Sequence, residues 1–271
     1  LASLLLGLYF RKIISVRWFA SLAIILILFD LWSVNEPANK GQVIERYGEN
    51  PLVEIIKKDT GIFRVANENQ LPAHSGIVYG FEEIGGISPL RLARYDAILG
   101  FPREKIWQLL NVKYVLTDQP HIFTGRIVGQ DGRTSLVRLE EFPQPRAWFV
   151  EQMGLEPTDR AVEAVKNSFI PNFALVSSRP PFHIDPRSWA RGQIEITTHS
   201  AEQMTLDVNT PGDGLLIISE NFYPGWRATI DGVPTEILRA NLTLRAIPVR
   251  AGQHRIEMWY DPMSFKIGAG I

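Results

Sequence analysis

None of the 271 residues is a cysteine, which excludes disulfide staples and thiolate metal sites. Net charge is nearly absent as well. The formal value is -1, from 28 basic and 29 acidic residues, with no basic patch beyond the residues flanking the apolar N-terminal run, so no nucleic-acid partner is expected. His74, His121, His183, His199 and His254 fall into no HxH or HExxH spacing, and no metal site is assigned. There is no GxSxG elbow, and Gly80, Gly85 and Gly86 do not form a phosphate-cradling loop. Internal repeats and low-complexity segments are missing too. With these patterns gone, the sequence offers no catalytic residue and no cofactor to assign in this chain.

What is present begins with residues 16–34, VRWFASLAIILILFDLWSV. At roughly 1.5 Å of helical rise per residue this run covers about 28 Å, close to the hydrocarbon thickness of a bilayer. Arg17 can snorkel to one headgroup layer, Asp30 lies within a turn of the other, and Trp18 and Trp32 fall where an aromatic belt belongs. Asp30 is open to two readings, a functional acid or a solvated helix end. Residues 1–10, LASLLLGLYF, are too short to cross and read as the end of a preceding span. Between the two runs, residues 11–17 carry Arg11, Lys12 and Arg17 and no acid, so the positive-inside rule places this loop in the cytoplasm. Residues from about 35 to 262 then lie on the extracytoplasmic side. At the far end, residues 263–271 turn small and apolar after Lys266, as the start of a further span would.

The outer part divides into two patterns. After a polar connector over residues 35–48, residues 35–178 mix helical and period-two stretches. Short helices are expected at 52–58, at 90–99 with Ser88 and Pro89 as cap and first turn, at 103–110 after Pro102 with Asn111 as its stop, and at 159–169 capped by Thr158. Strands are expected at 61–66, 112–118, across 125–139 with a turn at Asp131 and Gly132, at 146–151 and at 172–178. This is an α+β domain. Residues 179–262 alternate almost throughout, with an inner strand, LLIIS, apolar on both faces, which predicts an antiparallel β-sandwich. The fold class is therefore a membrane-anchored α+β chain: one transmembrane helix, a mixed α+β layer and a C-terminal antiparallel β-sandwich.

Two stretches concentrate side chains able to bind. Residues 79–95, YGFEEIGGISPLRLARY, bring Glu82, Arg91, Arg94 and Tyr95 into one loop and helix start. They can hydrogen-bond a sugar or a phosphate, or the arginines can pair with Glu82 and Glu83. Residues 219–226, SENFYPGW, flank a Pro-Gly turn with Phe222, Tyr223 and Trp226. Tyr223 and Trp226 form either a sugar-stacking platform or a packed corner. Glu140 and Glu141 read as solvated surface, because adjacent strand residues point to opposite faces and suit a two-carboxylate hydrolase poorly. The triplet at Asn241 spells a glycosylation sequon.

The segments SENFYPGWRATIDG, ILRANLTLRAIPVRAGQHRIEMWYDPMSFKIG, ISPLRLARYDAIL, LLNVKYVLTD and PRAWFVE together resemble the C-terminal extracytoplasmic part of YfhO-like bacterial membrane proteins. The resemblance implies a polytopic glycosyltransferase of the GT-C type, which moves a sugar from a polyprenyl-phosphate carrier to a cell-envelope glycan acceptor, with membrane lipid as its surroundings. It also implies that the key acid lies in an early outer loop, so no catalytic residue carries over to these positions. A carbohydrate-binding or envelope-scaffolding module without enzymatic activity is the other reading.

Overall fold

The structure is a computed structural model and describes residues 2–39, 47–86, 90–140, 145–168 and 172–269. The chain forms two compact units, Leu1–Gly48 and Glu49–Ile271.

The first unit is helical. α1 (Ala2–Phe10) and α2 (Val16–Asn39) are joined by a turn in which Lys12 adopts a left-handed φ of 57°. Ser15 caps the second helix by accepting from the Trp18 amide at 3.5 Å, and the Tyr9 and Phe19 rings pack 4.7 Å apart. Among the described residues, Val16–Ser33 is the one helical stretch long and apolar enough to cross a membrane. Ile24, Ile25, Ile27, Leu28, Phe29 and Leu31 all present exposed side chains, which is the surface hydrocarbon would cover. The helix runs past the expected end at residue 34 as far as Asn39. Once a helix is nucleated each added residue closes a further bond, so the polar residues extend it. Residues 40–46, half of the expected connector, lie outside the described residues.

The second unit stacks three sheets. It opens with α3 (Pro51–Lys58), capped by Asn50, whose side-chain oxygen accepts from the Leu52 and Val53 amides. There follow β1 (Arg64–Asn67), α4 (Ser75–Tyr79), β2 (Glu82–Glu83), α5 (Ala93–Leu99), α6 (Arg103–Leu109), β3 (Val112–Thr117), β4 (Gly125–Asp131) and β5 (Thr134–Leu139). These strands make a mixed sheet in the order β2-β1-β3-β5-β4, with β1 parallel to both of its neighbours. Next come β6 (Ala147–Val150), β7 (Gln152–Leu155), α7 (Ala161–Asn167), β8 (Phe173–Val176), α8 (Pro186–Arg191), β9 (Gln193–His199), β10 (Gln203–Thr210) and β11 (Gly214–Asn221). The unit ends with β12 (Trp226–Ile230), β13 (Val233–Thr235), β14 (Leu238–Ala240), β15 (Leu244–Val249), β16 (Gly252–Tyr260) and α9 (Met263–Ala269). The second sheet runs β6-β11-β15-β14-β8-β7 and the third β13-β12-β16-β10-β9.

The middle sheet is buried on both faces, and the period of two in its strands shows how. Trp148, Val150, Leu215, Ile217, Leu244 and Ala246 enter one core with Ile98, Ile106, Leu109 and Val165 of the helices. Ala147, Phe149, Leu216, Ile218, Ile247 and Val249 enter another with Met204, Leu206, Ala228, Ile256 and Met258 of the third sheet. A third core seats Leu52, Val53 and Ile56 of α3 against Val65, Tyr114, Leu116 and Leu136. Strands on either side of residue 179 share the middle sheet, because β6, β7 and β8 pair with β11, each other and β14.

Several local expectations shift. The helix expected from residue 90 starts at Ala93 after Leu92, while Ser88 and Pro89 lie outside the described residues. The helix expected from residue 159 starts at Ala161 after Arg160 with no side-chain cap, so Thr158 stands two residues too early to reach its first amides. Asn111 does follow α6 in a left-handed conformation, φ 55°.

Candidate functional site

The three sheets bring their ends together around a knot of charge. Arg64 and Glu82 are register partners on the parallel strands β1 and β2, and their side chains meet at 3.1 Å. Arg146 directly precedes β6. Glu220 sits where β11 breaks register with β15 between Ile218 and Asn221, an irregularity that frees it from strict alternation. Arg245 lies on β15 opposite Ile218. From the third sheet come His199, at the end of β9, and Trp226, at the start of β12.

The contacts are dense. Arg146 Nη1 donates to Glu82 Oε2 at 2.9 Å and to Glu220 Oε1 at 2.5 Å, and its Nε donates to Asn111 Oδ1 at 2.9 Å. Arg64 Nη2 lies 3.1 Å from Glu220, while its Nη1 donates to the Ser219 carbonyl at 2.8 Å and the Leu110 carbonyl at 3.1 Å. His199 Nε2 is 3.2 Å from Glu220 and its Nδ1 is 3.7 Å from Glu82. Arg245 Nε donates to the Asn221 carbonyl at 2.9 Å, and its guanidinium carbon lies 3.6 Å from the centre of the Trp226 ring. A cavity of about 450 Å³ opens on this group, lined by Glu82, His199, Ser200, Met204, Glu220, Trp226 and Arg245 among others. Glu82 also lines a second cavity of about 570 Å³, together with Arg91, Tyr95 and the Gly85-Gly86 turn.

Electrostatics fixes the protonation state of Glu220. Burial alone would raise its pKa, but the His199 hydrogen bond and the fields of Arg64, Arg146 and Arg245 outweigh it and hold the carboxyl at about 2. Burial lowers Arg245 to about 10, against the attraction of Glu220. Glycoside hydrolysis needs one carboxylic acid held protonated near neutral pH. Glu220 is its opposite, a fixed anion suited to accepting hydrogen bonds and not to donating a proton.

The residues singled out from sequence separate. Glu82 and Trp226 lie at the charged cavity, and Tyr95 lies close by, its buried hydroxyl donating to the Ile84 carbonyl at 2.7 Å. Arg91 pairs with Asp96 at 2.7 Å and lines only the second cavity. Arg94 pairs with Glu156 at 2.7 Å and lines neither. Neither arginine pairs with Glu82 or Glu83. Glu83 turns the other way, as adjacent strand residues must, and accepts from the Gly76 amide and Asn67. Tyr223 stays 47% exposed while Trp226 is half-buried against Tyr260, ring centres 5.7 Å apart. The corner requires Gly225, whose φ of 106° and approach to Pro262 and Tyr260 leave no room for a side chain. Asn241 is fully buried, its Oδ1 accepting from the Leu175 amide, so its sequon is a packing residue. Glu140 is exposed, and Glu141 lies outside the described residues.

Sequence reading missed Arg64, Arg146, His199, Glu220 and Arg245. A signal existed for one of them: Arg245 interrupts the apolar run of β15, where a cation is found only when partnered or functional.

Fold and site together define a chain with one helix long and apolar enough to cross a membrane and a three-sheet α+β unit with a charged cavity. Residues 187–271, from α8 through α9, match the family described as "Bacterial membrane protein YfhO", so this C-terminal part of the chain is YfhO-like. The match contains His199, Glu220, Trp226 and Arg245, while Arg64, Glu82 and Arg146 lie before it. Searches of curated proteins and of solved structures give no match.

Proposed function

We propose that this chain is the extracytoplasmic, membrane-anchored part of a polytopic glycosyltransferase that uses a polyprenyl-phosphate-linked sugar to modify a cell-envelope glycan, and that it supplies recognition and not the chemical step. The observation that carries this reading is the cavity lined by two arginine-held carboxylates, Glu82 and Glu220, together with Trp226. Fixed carboxylates accept sugar hydroxyls, and an indole edge or face packs against the apolar face of a pyranose. The α2 helix supplies the anchor, and the placement of Arg11, Lys12 and Arg17 supports an outward-facing second unit. Tyr223, exposed at the same corner, extends the proposed contact.

The test is a titration of the full chain in detergent with neutral hexoses and N-acetylhexosamine oligosaccharides, followed by calorimetry. Saturable binding is expected, weakened at least tenfold by Glu82→Gln and severalfold by Tyr223→Ala, with Arg94→Ala unchanged. Binding of every sugar with the same affinity in all three variants would remove the cavity from recognition, and no sugar binding at all would favour a scaffolding role.

A further inference from the structure

The second unit presents an apolar surface around α4. Ile77 is 82% exposed, Leu90 is 88% exposed, and Val78 is half-exposed. Elsewhere among the described residues of this unit, exposed apolar side chains such as Ile127, Leu155 and Val233 stand one to an element. Ile77 and Leu90 instead line one groove, the 570 Å³ cavity, with Phe81, Ile84, Leu92 and Leu99. Contiguous exposed apolar surface of this kind marks an interaction site.

Three observations identify what covers it. Residues 69–81 and 84–90 contain no Asp, Glu, Lys or Arg, and the two acids between them are held by the protein. Glu82 is tied to Arg64 and Arg146, and Glu83 accepts from the Gly76 amide and Asn67. A protein partner is normally met by a polar rim, whereas a surface without charge suits hydrocarbon. The backbone of α4 is closed as well. The Ile77 and Val78 amides donate to the His74 carbonyl at 3.1 and 3.2 Å, and those of Gly80 and Phe81 donate to the Gly76 carbonyl at 2.8 and 2.9 Å. An amide left open in lipid is costly, and these are satisfied inside the turn. His74 and Gly80, both left-handed with φ of 66° and 81°, bound this tight turn. Finally, Glu82 lines both this groove and the charged cavity, and Trp226 on the charged cavity packs against Tyr260, just ahead of α9. Residues 263–271, MSFKIGAGI, carry Lys266 as their one charge, so the chain leaves this end of the unit in an apolar run.

We propose that Ile77, Val78 and Leu90 seat the second unit on the bilayer surface. They enter the boundary between headgroups and acyl chains, a depth of roughly 5–10 Å, with Tyr79 at headgroup level. The contact is peripheral and separate from any span, and it holds the charged cavity next to the leaflet. It does not rest on the recognition reading, because it requires neither a sugar nor a particular side of the membrane.

The experiment uses the full chain in nanodiscs of phosphatidylethanolamine and phosphatidylglycerol, where both membrane faces are open to solvent. Ile77→Cys, Leu90→Cys and Val233→Cys each carry one nitrobenzoxadiazole label, and the native chain has no cysteine to compete. All three positions are exposed, so the substitutions spare the core, and positions 77 and 90 report independently. Labels at 77 and 90 are expected to emit to the blue of the label at 233. Iodide should quench them severalfold less, and lipid bearing a spin label at the headgroup end of its acyl chain should quench them severalfold more. Equal iodide quenching at all three positions, with no quenching by the lipid, would overturn the proposal. Protection from iodide without lipid quenching would overturn it too, and would assign the patch to protein. Protection that grows with the number of chains per disc would identify that protein as a second copy.

Discussion

Arg146→Ala is expected to lower the stability of the second unit by about 3–5 kcal/mol, the range found when one partner of a buried ion pair is removed. The side chain is almost wholly buried and is the group that touches Glu82, Glu220 and Asn111 together. Its loss leaves the two carboxylates with Arg64 and His199 and an empty volume behind β6. In a unit of this size each kcal/mol moves Tm by about 2–4 °C, so a fall of about 6–20 °C should appear in thermal unfolding followed by near-ultraviolet circular dichroism. Arg146→Met, which fills the volume, is expected to recover part of it. Arg91→Ala removes an exposed pair with Asp96 and should stay within about 0.5 kcal/mol of the wild type. A change at Arg146 as small as that would show the charge cluster to be structurally idle.

Acid should release a second large effect through Glu220. Its carboxyl titrates at about 2 in the folded chain, against an ordinary value of 4.5. The unfolded chain therefore takes up the proton first, and the stabilisation from the ionised carboxylate is complete above about pH 4.5 and is lost as pH falls towards 2. The gap is worth about 3 kcal/mol in full, of which about 2 kcal/mol is gone by pH 3. Glu220→Gln starts less stable at pH 7 because it strips a partner from Arg64 and Arg146, but it lacks this titration. The unfolding free energies of the two proteins should thus converge between pH 5 and pH 3. Parallel pH profiles would mean that Glu220 is not held by His199 and the arginines.

The parts of this fold that declared themselves in sequence are those set by local periodicity. The apolar run of α2, the Asp131-Gly132 hairpin, the inner strand at Leu215, Leu216, Ile217 and Ile218, and the left-handed stop at Asn111 all follow from spacing and turn chemistry. The sharing of one sheet across residue 179 was not legible, because a pairing such as Ile217 with Trp148 is a long-range choice that neither strand encodes alone. The same limit applies to the cavity. Glu82 and Trp226 stand out in their own segments, yet Arg64, Arg146, Glu220 and Arg245 come from four different strands or their flanks and acquire meaning only when three sheets converge. Glu220 depends further on a register break in β11, which no alternation pattern in SENFYPGW reveals. Arg91 and Arg94 show the converse. Their crowding beside Glu82 suggested a shared site, but each found its partner elsewhere, on Asp96 and on Glu156.

The absence of cysteine makes the sidedness of the chain directly measurable, and the proposed recognition role depends on it. Val233→Cys places one thiol on an exposed hairpin of the second unit, and Lys12→Cys places one in the turn between α1 and α2. Each is exposed to a membrane-impermeant maleimide on intact bacterial cells and again after permeabilisation. The expected result is labelling of Cys at position 233 from outside and of Cys at position 12 only after permeabilisation, which sets the cavity outside the cytoplasm, as the proposed recognition role requires. Labelling at position 12 from outside, with position 233 protected until the membrane is opened, would put the cavity in the cytoplasm and contradict an extracytoplasmic recognition unit.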